Sequence, residues 1–428
     1  MPASVFFGVR MSEASIVETQ IEQGPLAISH AMPEAQCVAL GIFINVGSRD
    51  EAESEAGIAH ALEHMLFKGT ENHNVRALSE ILDTLGGSAN AFTGRERTCF
   101  YLCTLHEDWR QGLDVLLDML LRATLPEDEW QRERGVIYSE IGMVEDTPDE
   151  WALDQHLQAL FPGSSVGRPT LGSRDSLAGI TRARLRGYLE SHYRPPRLLL
   201  AAAGRIVHEE LVDALSGRVW PQAVAIPDRP ACERAAGLQL LPRDIEQAYI
   251  TLSFPGLSLT DRDRQIAWAA NQMLGGGLSS RLFRTVREER GLAYSVDSSL
   301  FSLSDNGMWT ISCATDPAKL SACIQAIEQT LGEFSACKTE AGELDRALRQ
   351  LQVQMRMSMD SVESQMLRLA ARFDEQAVKP VSHWVDEVGK VEAGQVDGWK
   401  AERLAAAPLW SICGPAAALK KAERYLHH

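Results

Sequence analysis

The sequence predicts an α+β fold made of two structurally similar domains, each a mostly antiparallel sheet with helices on one face. Three observations carry this prediction. The chain has 428 residues, more than one ordinary core accommodates and enough for two domains of about 200 residues each. The stretch at 217–236, GRVWPQAVAIPDRPACERAA, holds Pro221, Pro227 and Pro230, which break any regular element. On either side of it the same order of elements recurs, as an internal duplication requires. The expected boundaries are a first domain at 1–216, a linker at 217–236 and a second domain at 237–428.

The elements follow in order. VALGIFINVGS (38–48) reads as a strand and leads to helical segments near 56–67 and 75–85. After the punctuation Gly86–Gly87 comes the strand TCFYLCTL (98–105), then two helices, 107–123 and 126–144. The second half opens with the strand QAYITLSFPG (247–256), the helix DRQIAWAANQML (263–274) and the punctuation Gly275–Gly277. A further helix and strand precede the strand NGMWTISCAT (306–315), and two helices at 317–334 and 340–357 complete the parallel. Strands of period two thus alternate with amphipathic helices in both halves.

Composition excludes several functions. The net charge of −16 argues against nucleic acid, whose phosphates call for lysine and arginine, and suits solubility. Eight cysteines (37, 99, 103, 232, 313, 323, 337, 413) lie scattered in apolar surroundings without a Cys-x-x-Cys, so no disulfide framework is expected and a reducing compartment is the default. The apolar run VFFGV (5–9) is too short for a signal sequence, and no run is long enough to span a membrane. A cytoplasmic protein without a membrane partner is expected, starting at Met1 or Met11.

The chemistry concentrates in HALEH, residues 60–64. Positions i and i+4 of a helix share one stripe, so His60 and His64 can aim two imidazoles at one point, the arrangement that captures zinc. Glu63 lies on that stripe and can hold a water and take its proton. The order is the H-x-x-E-H form of a metallopeptidase motif. A third ligand is required, because catalytic zinc takes three protein groups and keeps a position for water. The helix EWQRERGVIYSEIGMVED offers Glu133 and Glu140, seven apart on a face that turns inward through Val136, Ile137, Ile141 and Val144. A solvated helix edge is the plainer setting for Glu133 and a poorer one for Glu140.

HALEH, followed 76 residues after its second histidine by Glu140 in VIYSEIGMVEDTPDE, resembles the pitrilysin-like (M16, inverzincin) zinc metallopeptidases, and most of all their half-length, mitochondrial-processing-peptidase-like bacterial branch. GSRDEAESEAGIAHALEHMLFKGT, LGGSANAFTGRERTCFY, HYRPPRLLLAAAGRI and LGGGLSSRLFRTVREERGLAYSV carry the same resemblance across nearly the whole chain. It implies His60, His64 and Glu140 as ligands of one Zn2+ per chain, Glu63 as general base, and Glu133 as an acidic residue supporting the site from behind a ligand.

The resemblance implies further residues. Asn90, Ala91, Phe92 and Thr93 would line an edge strand that takes a peptide as an added strand, and Arg287 with Tyr294 would contact the substrate backbone and the reacting carbonyl. The loop LGGGLSS (274–280) is similar to one that touches substrates. Family members close a zinc half against a second half around a chamber that admits unfolded peptides, and this chain has the length of one half. A homodimer is the simplest completion. A heterodimer with a non-zinc homologue, processing peptide precursors, and a non-catalytic assembly subunit are the alternatives. Two departures stand out: Ala61 follows His60 where a larger apolar residue is common, which would loosen a pocket beside the zinc, and FPGSSVGRPTLG replaces a more usual proline-leucine.

Overall fold

The computed structural model describes residues 10–12, 16–223 and 225–426; the apolar run at 5–9 lies outside them. The described residues form two compact units. The first comprises residues through 141, then 168–230 and 357–380; the second comprises 142–167, 231–356 and the chain from 381 on. This division is not the sequential one expected from the proline-rich stretch. Residues 142–167 belong with the second unit, and 357–380 with the first.

In the first unit, β1 (Arg10–Ser12), β2 (Ile16–Gln20), β3 (Leu26–Ala31), β4 (Cys37–Ile44), β5 (Ala89–Thr93), β6 (Thr98–Leu105) and β7 (Leu198–Gly204) form a sheet. Its order is β1-β2-β3-β7-β4-β6-β5, antiparallel throughout except for the parallel pair β3/β7. The central strands β4 and β7 are apolar on both faces because both faces are covered. One face carries α1 (Ile58–Leu66), α2 (Val75–Thr84), α3 (Trp109–Arg122) and α4 (Glu127–Asp146), whose inward residues include Leu62, Met65, Leu116, Trp130 and Ile137. The other face is covered by a short helix at 362–368 and the turn after it. There Met366, Leu369, Ala370 and Val378 meet Ile28, Ala39, Phe43 and Leu199.

In the second unit, β8 (Gly237–Pro242), β9 (Ala248–Pro255), β10 (Ala293–Ser302), β11 (Gly307–Thr315) and β12 (Leu409–Gly414) form a sheet of order β10-β11-β9-β12-β8. Only β12/β8 is parallel. This reproduces β5-β6-β4-β7-β3 of the first unit strand for strand. The core face holds α6 (Arg264–Leu274), α7 (Leu320–Ala336) and α8 (Ala341–Met357). Across the other face lies α5 (Pro148–Leu160), with Leu157 and Leu160 packed beside Leu303, Met308 and Leu409. No helix among the described residues is long and apolar enough to cross a membrane.

Candidate metal centre

The helix α1 begins after Gly57, whose φ of +90° is left-handed and whose missing Cβ would stand 2.6 Å from the Leu171 carbonyl oxygen. Two amide groups at its start are taken by Glu51: the N–H of Gly57 donates to one carboxylate oxygen (2.8 Å) and that of Ala59 to the other (2.9 Å). Burial pushes the Glu51 carboxyl up to about 8, against the pull of these two amides. The role of Glu51 is absent from the sequence reading, because a cap six residues upstream of its helix has no local signature. Ile58, Ala59, Ala61, Leu62, Met65 and Leu66 turn inward, leaving His60, Glu63 and His64 on the opposite stripe. Ala61 is fully buried in this core, so its small size bears on helix packing and not on a pocket beside the histidines.

The structure brings His60, His64 and Glu140 together, with one ligand atom of each within 4.8 Å of the others. Glu140 Oε2 stands 3.8 Å from His60 Nε2 and 3.6 Å from His64 Nε2. Donors about 2.1 Å from a tetrahedral zinc are roughly 3.4 Å apart, so this spacing suits an ion at their centre. Glu140 Oε2 is buried without a hydrogen-bond partner, an arrangement that is costly for a carboxylate unless a cation meets it. Burial, reinforced by the neighbouring His64, lowers the His60 pKa to about 4 and keeps that ring in its neutral, metal-binding form. The residues therefore fit the ion implied by their chemistry.

Behind the ligands, His64 Nδ1 donates to Glu133 Oε2 at 3.0 Å, which frees Nε2 for a metal. Lys68 Nζ reaches the other Glu133 oxygen at 2.8 Å. Burial raises the Glu133 pKa, but the Lys68 and His64 hydrogen bonds outweigh it and hold the carboxyl below its usual value. The two glutamates thus reverse the burial expected of them. Glu133 is buried and Glu140 half-buried, because the lysine one turn beyond His64 pairs with Glu133. Val136, expected on the inward stripe, is 44% exposed, since it lies on the rim of the face defined by Ile137 and Ile141.

Glu63 is half-buried beside this set. Burial pushes its carboxyl up, with Glu140 adding to the push. A hydrogen bond from Thr93 and the His64 charge act against it. Asn90, Ala91, Phe92 and Thr93 all lie on β5, the edge strand of the sheet. Asn90 and Phe92 point outward, while Ala91 packs on the core.

Arg287 and Tyr294 lie in the second unit, where the guanidinium stacks 4.9 Å over the Tyr294 ring and 4.7 Å over Phe283. Arg287 sits in a π-helical segment, Phe283–Glu289. Tyr294 occupies a register shift between Ala293 and Ser295, which turns its side chain outward to 80% exposure. In the loop at 274–280, Leu278 is 74% exposed.

The insulinase model of peptidase family M16 matches residues 26–174, and the model of the M16 inactive domain matches 179–351. An uncharacterised zinc protease of Streptomyces coelicolor is 35% identical over 79% of this chain and 76% of its own. One of Mycobacterium leprae is 31% identical over 96% and 95%, and YmxG of Bacillus subtilis, also an uncharacterised zinc protease, is 36% identical over 78% and 82%. Among solved structures, an M16 inactive-domain protein of Pseudomonas fluorescens aligns with a TM-score of 0.87 at 18% identity, covering 94% of this chain and 98% of that one. A protease of Helicobacter pylori aligns with a TM-score of 0.87 at 17% identity, over 93% and 99%; at this identity both bear on the fold. Helix-borne histidines, a carboxylate from a second helix and these relatives lead to one conclusion: the chain belongs to peptidase family M16, the insulinase family of zinc metallopeptidases.

Proposed function

We propose that this chain is a zinc endopeptidase that cleaves short or unfolded peptides, with one zinc per chain. The observation carrying this reading is the convergence of His60, His64 and Glu140 with Glu63 on the same helical stripe. Zinc held by the three ligands supplies Lewis acidity toward water and the peptide carbonyl. Glu63 accepts a proton from the attacking water and returns it to the nitrogen of the leaving amine as the C–N bond breaks. Glu133 keeps the His64 ring oriented through Nδ1. The outward-facing edge of β5 binds the peptide by main-chain pairing, with Asn90, Ala91, Phe92 and Thr93 beneath it, so few side chains select the sequence.

In this reading the chain works as a homodimer enclosing a chamber, in which the partner subunit's Arg287 and Tyr294 complete each site. The outward Tyr294 stacked beside a guanidinium supports a donor role for that pair. The cytoplasm is the proposed compartment, in keeping with eight free cysteines. The test combines metal analysis, mass in solution and peptide cleavage. About one zinc per chain is expected, with a dimeric mass. Glu63→Gln should keep the metal and lose at least about 100-fold in kcat. Normal cleavage by that variant removes Glu63 as the base, and a monomer active alone removes the shared chamber.

A further inference from the structure

We propose that Thr93 positions the general base, its hydroxyl fastening the Glu63 carboxylate to the edge strand β5; this rests on the peptidase reading above. The hydroxyl of Thr93 donates to Glu63 Oε2 in a short contact, leaving Oε1 to meet a water. A glutamate side chain has three rotatable bonds, and a base that drifts by an ångström loses much of its advantage. A hydrogen bond to a charged carboxylate is among the stronger restraints a hydroxyl provides.

Thr93 is itself well anchored. It pairs with Thr98 at the closed end of the β5–β6 hairpin, where the N–H of Gly94 donates to the Arg97 carbonyl at 2.7 Å. Thr98 is fully buried, and its hydroxyl donates to the Val46 carbonyl at 3.0 Å. The restraint on the base therefore runs into the sheet core. A peptide added along β5 lies on the strand that orients the base, so substrate placement and base placement share one support.

In the second unit the corresponding helix position is also held by an edge-strand hydroxyl, though from a residue deeper in its strand. Ala59–Leu66 (AHALEHML) and Ala267–Leu274 (AWAANQML) occupy equivalent helices, which places Asn271 where the first unit has Glu63. There Ser298 of the edge strand β10 donates to Asn271 Oδ1 at 2.8 Å. Each unit thus bonds this helix position to a hydroxyl of its edge strand, from different points along that strand, and in the first unit the acceptor is the base.

The test uses the full chain. Thr93→Val keeps the branched shape without the hydroxyl, and Thr93→Ser restores it. In zinc-loaded protein we expect Thr93→Val to lower kcat about tenfold, with KM and zinc content unchanged, and Thr93→Ser to recover most of that loss. Ser298→Ala should lower the melting temperature and leave kcat alone. In metal-free protein, Thr93→Val and Glu63→Ala together should lower the melting temperature by less than the sum of the single effects. A strictly additive pair overturns the bond. A raised KM at constant kcat overturns the positioning role, as does zinc loss in Thr93→Val. If zinc-loaded wild-type protein cleaves no peptide, the peptidase reading falls together with the base, while the metal-free melting cycle still decides whether Thr93 and Glu63 are joined.

Discussion

The two units solve one problem twice. In each, a helix following the second core strand must be tied to the last long helix of the repeat. In the first unit the two helices meet through metal-ligand side chains: His60 and His64 of α1 face Glu140 of α4, whose Oε2 has no hydrogen-bond partner. In the second the tie is neutral: Gln272 of α6, at the place of His64, donates to Gln350 of α8 at 2.9 Å. Trp268 stands where His60 would be and packs edge-on against Trp384. The fold therefore does not need an ion, and a metal centre can be gained or lost at this helix pair with the scaffold intact.

The largest effect should come from making the first unit resemble the second. His64→Gln should abolish zinc binding and lower peptide cleavage at least about 1,000-fold, whereas Gln272→Ala should retain both and cost only stability. If His64→Gln keeps its zinc, the comparison of the two ties is wrong. Next in size, Glu133→Gln should weaken zinc affinity or activity by about 10- to 100-fold, because the His64 ring loses its charged acceptor and Lys68 its partner. Chelator competition on the purified variant reads this directly.

The unequal second faces of the two sheets give a pH prediction. The helix at 362–368 meets its sheet through an apolar cluster with Gln365 bonded to His30 and Glu363 to Tyr101 at its margins, whereas α5 inserts the more deeply buried His156 into its own. The Ser411 hydroxyl donates to Gln239 Oε1, so His156 Nδ1–H must donate to Ser411. That leaves Nε2 to accept from Ser253. Burial lowers the His156 pKa to about 4, below the ordinary value near 6.5. The unfolded chain binds the extra proton between these values, so stability is full above about 6.5 and falls as pH drops toward 4. The loss attributable to His156 should reach roughly 2 kcal/mol at pH 5. Thermal melts of wild-type and His156→Gln protein should converge as pH falls across that window, and parallel curves would exclude the effect. Smallest, Glu51→Ala should cost about 1–2 kcal/mol by uncapping α1. The first turn of α6 offers a contrast, for its N-cap Asp263 makes no side-chain capping bond.

Much of this architecture was legible in the chain. Periodicity located β4, β6, α3, α4 and their counterparts, and the i, i+4 spacing put His60 and His64 on one stripe. What escaped were contacts without a local sequence signature. Lys68 reaching Glu133 and Thr93 touching Glu63 join segments whose proximity only the tertiary fold sets, and Glu51 caps α1 from six residues before Gly57 with no capping pattern to announce it. The proline-rich stretch looked like a clean border for a related reason. Local composition reports where regular structure stops and carries no information about which sheet a later helix will cover.

The placement of residues 357–380 bears on how this protein is made. A ribosome has finished most of the second repeat before the segment that covers the outer face of the first sheet emerges. Until then Phe43, Ala39 and Leu199 are without their lid, and the nascent chain presents a sticky surface that a chaperone could read. Severing the gene at the apparent border would turn this intramolecular covering into a bimolecular one, so placing both repeats on one polypeptide shortens the exposure.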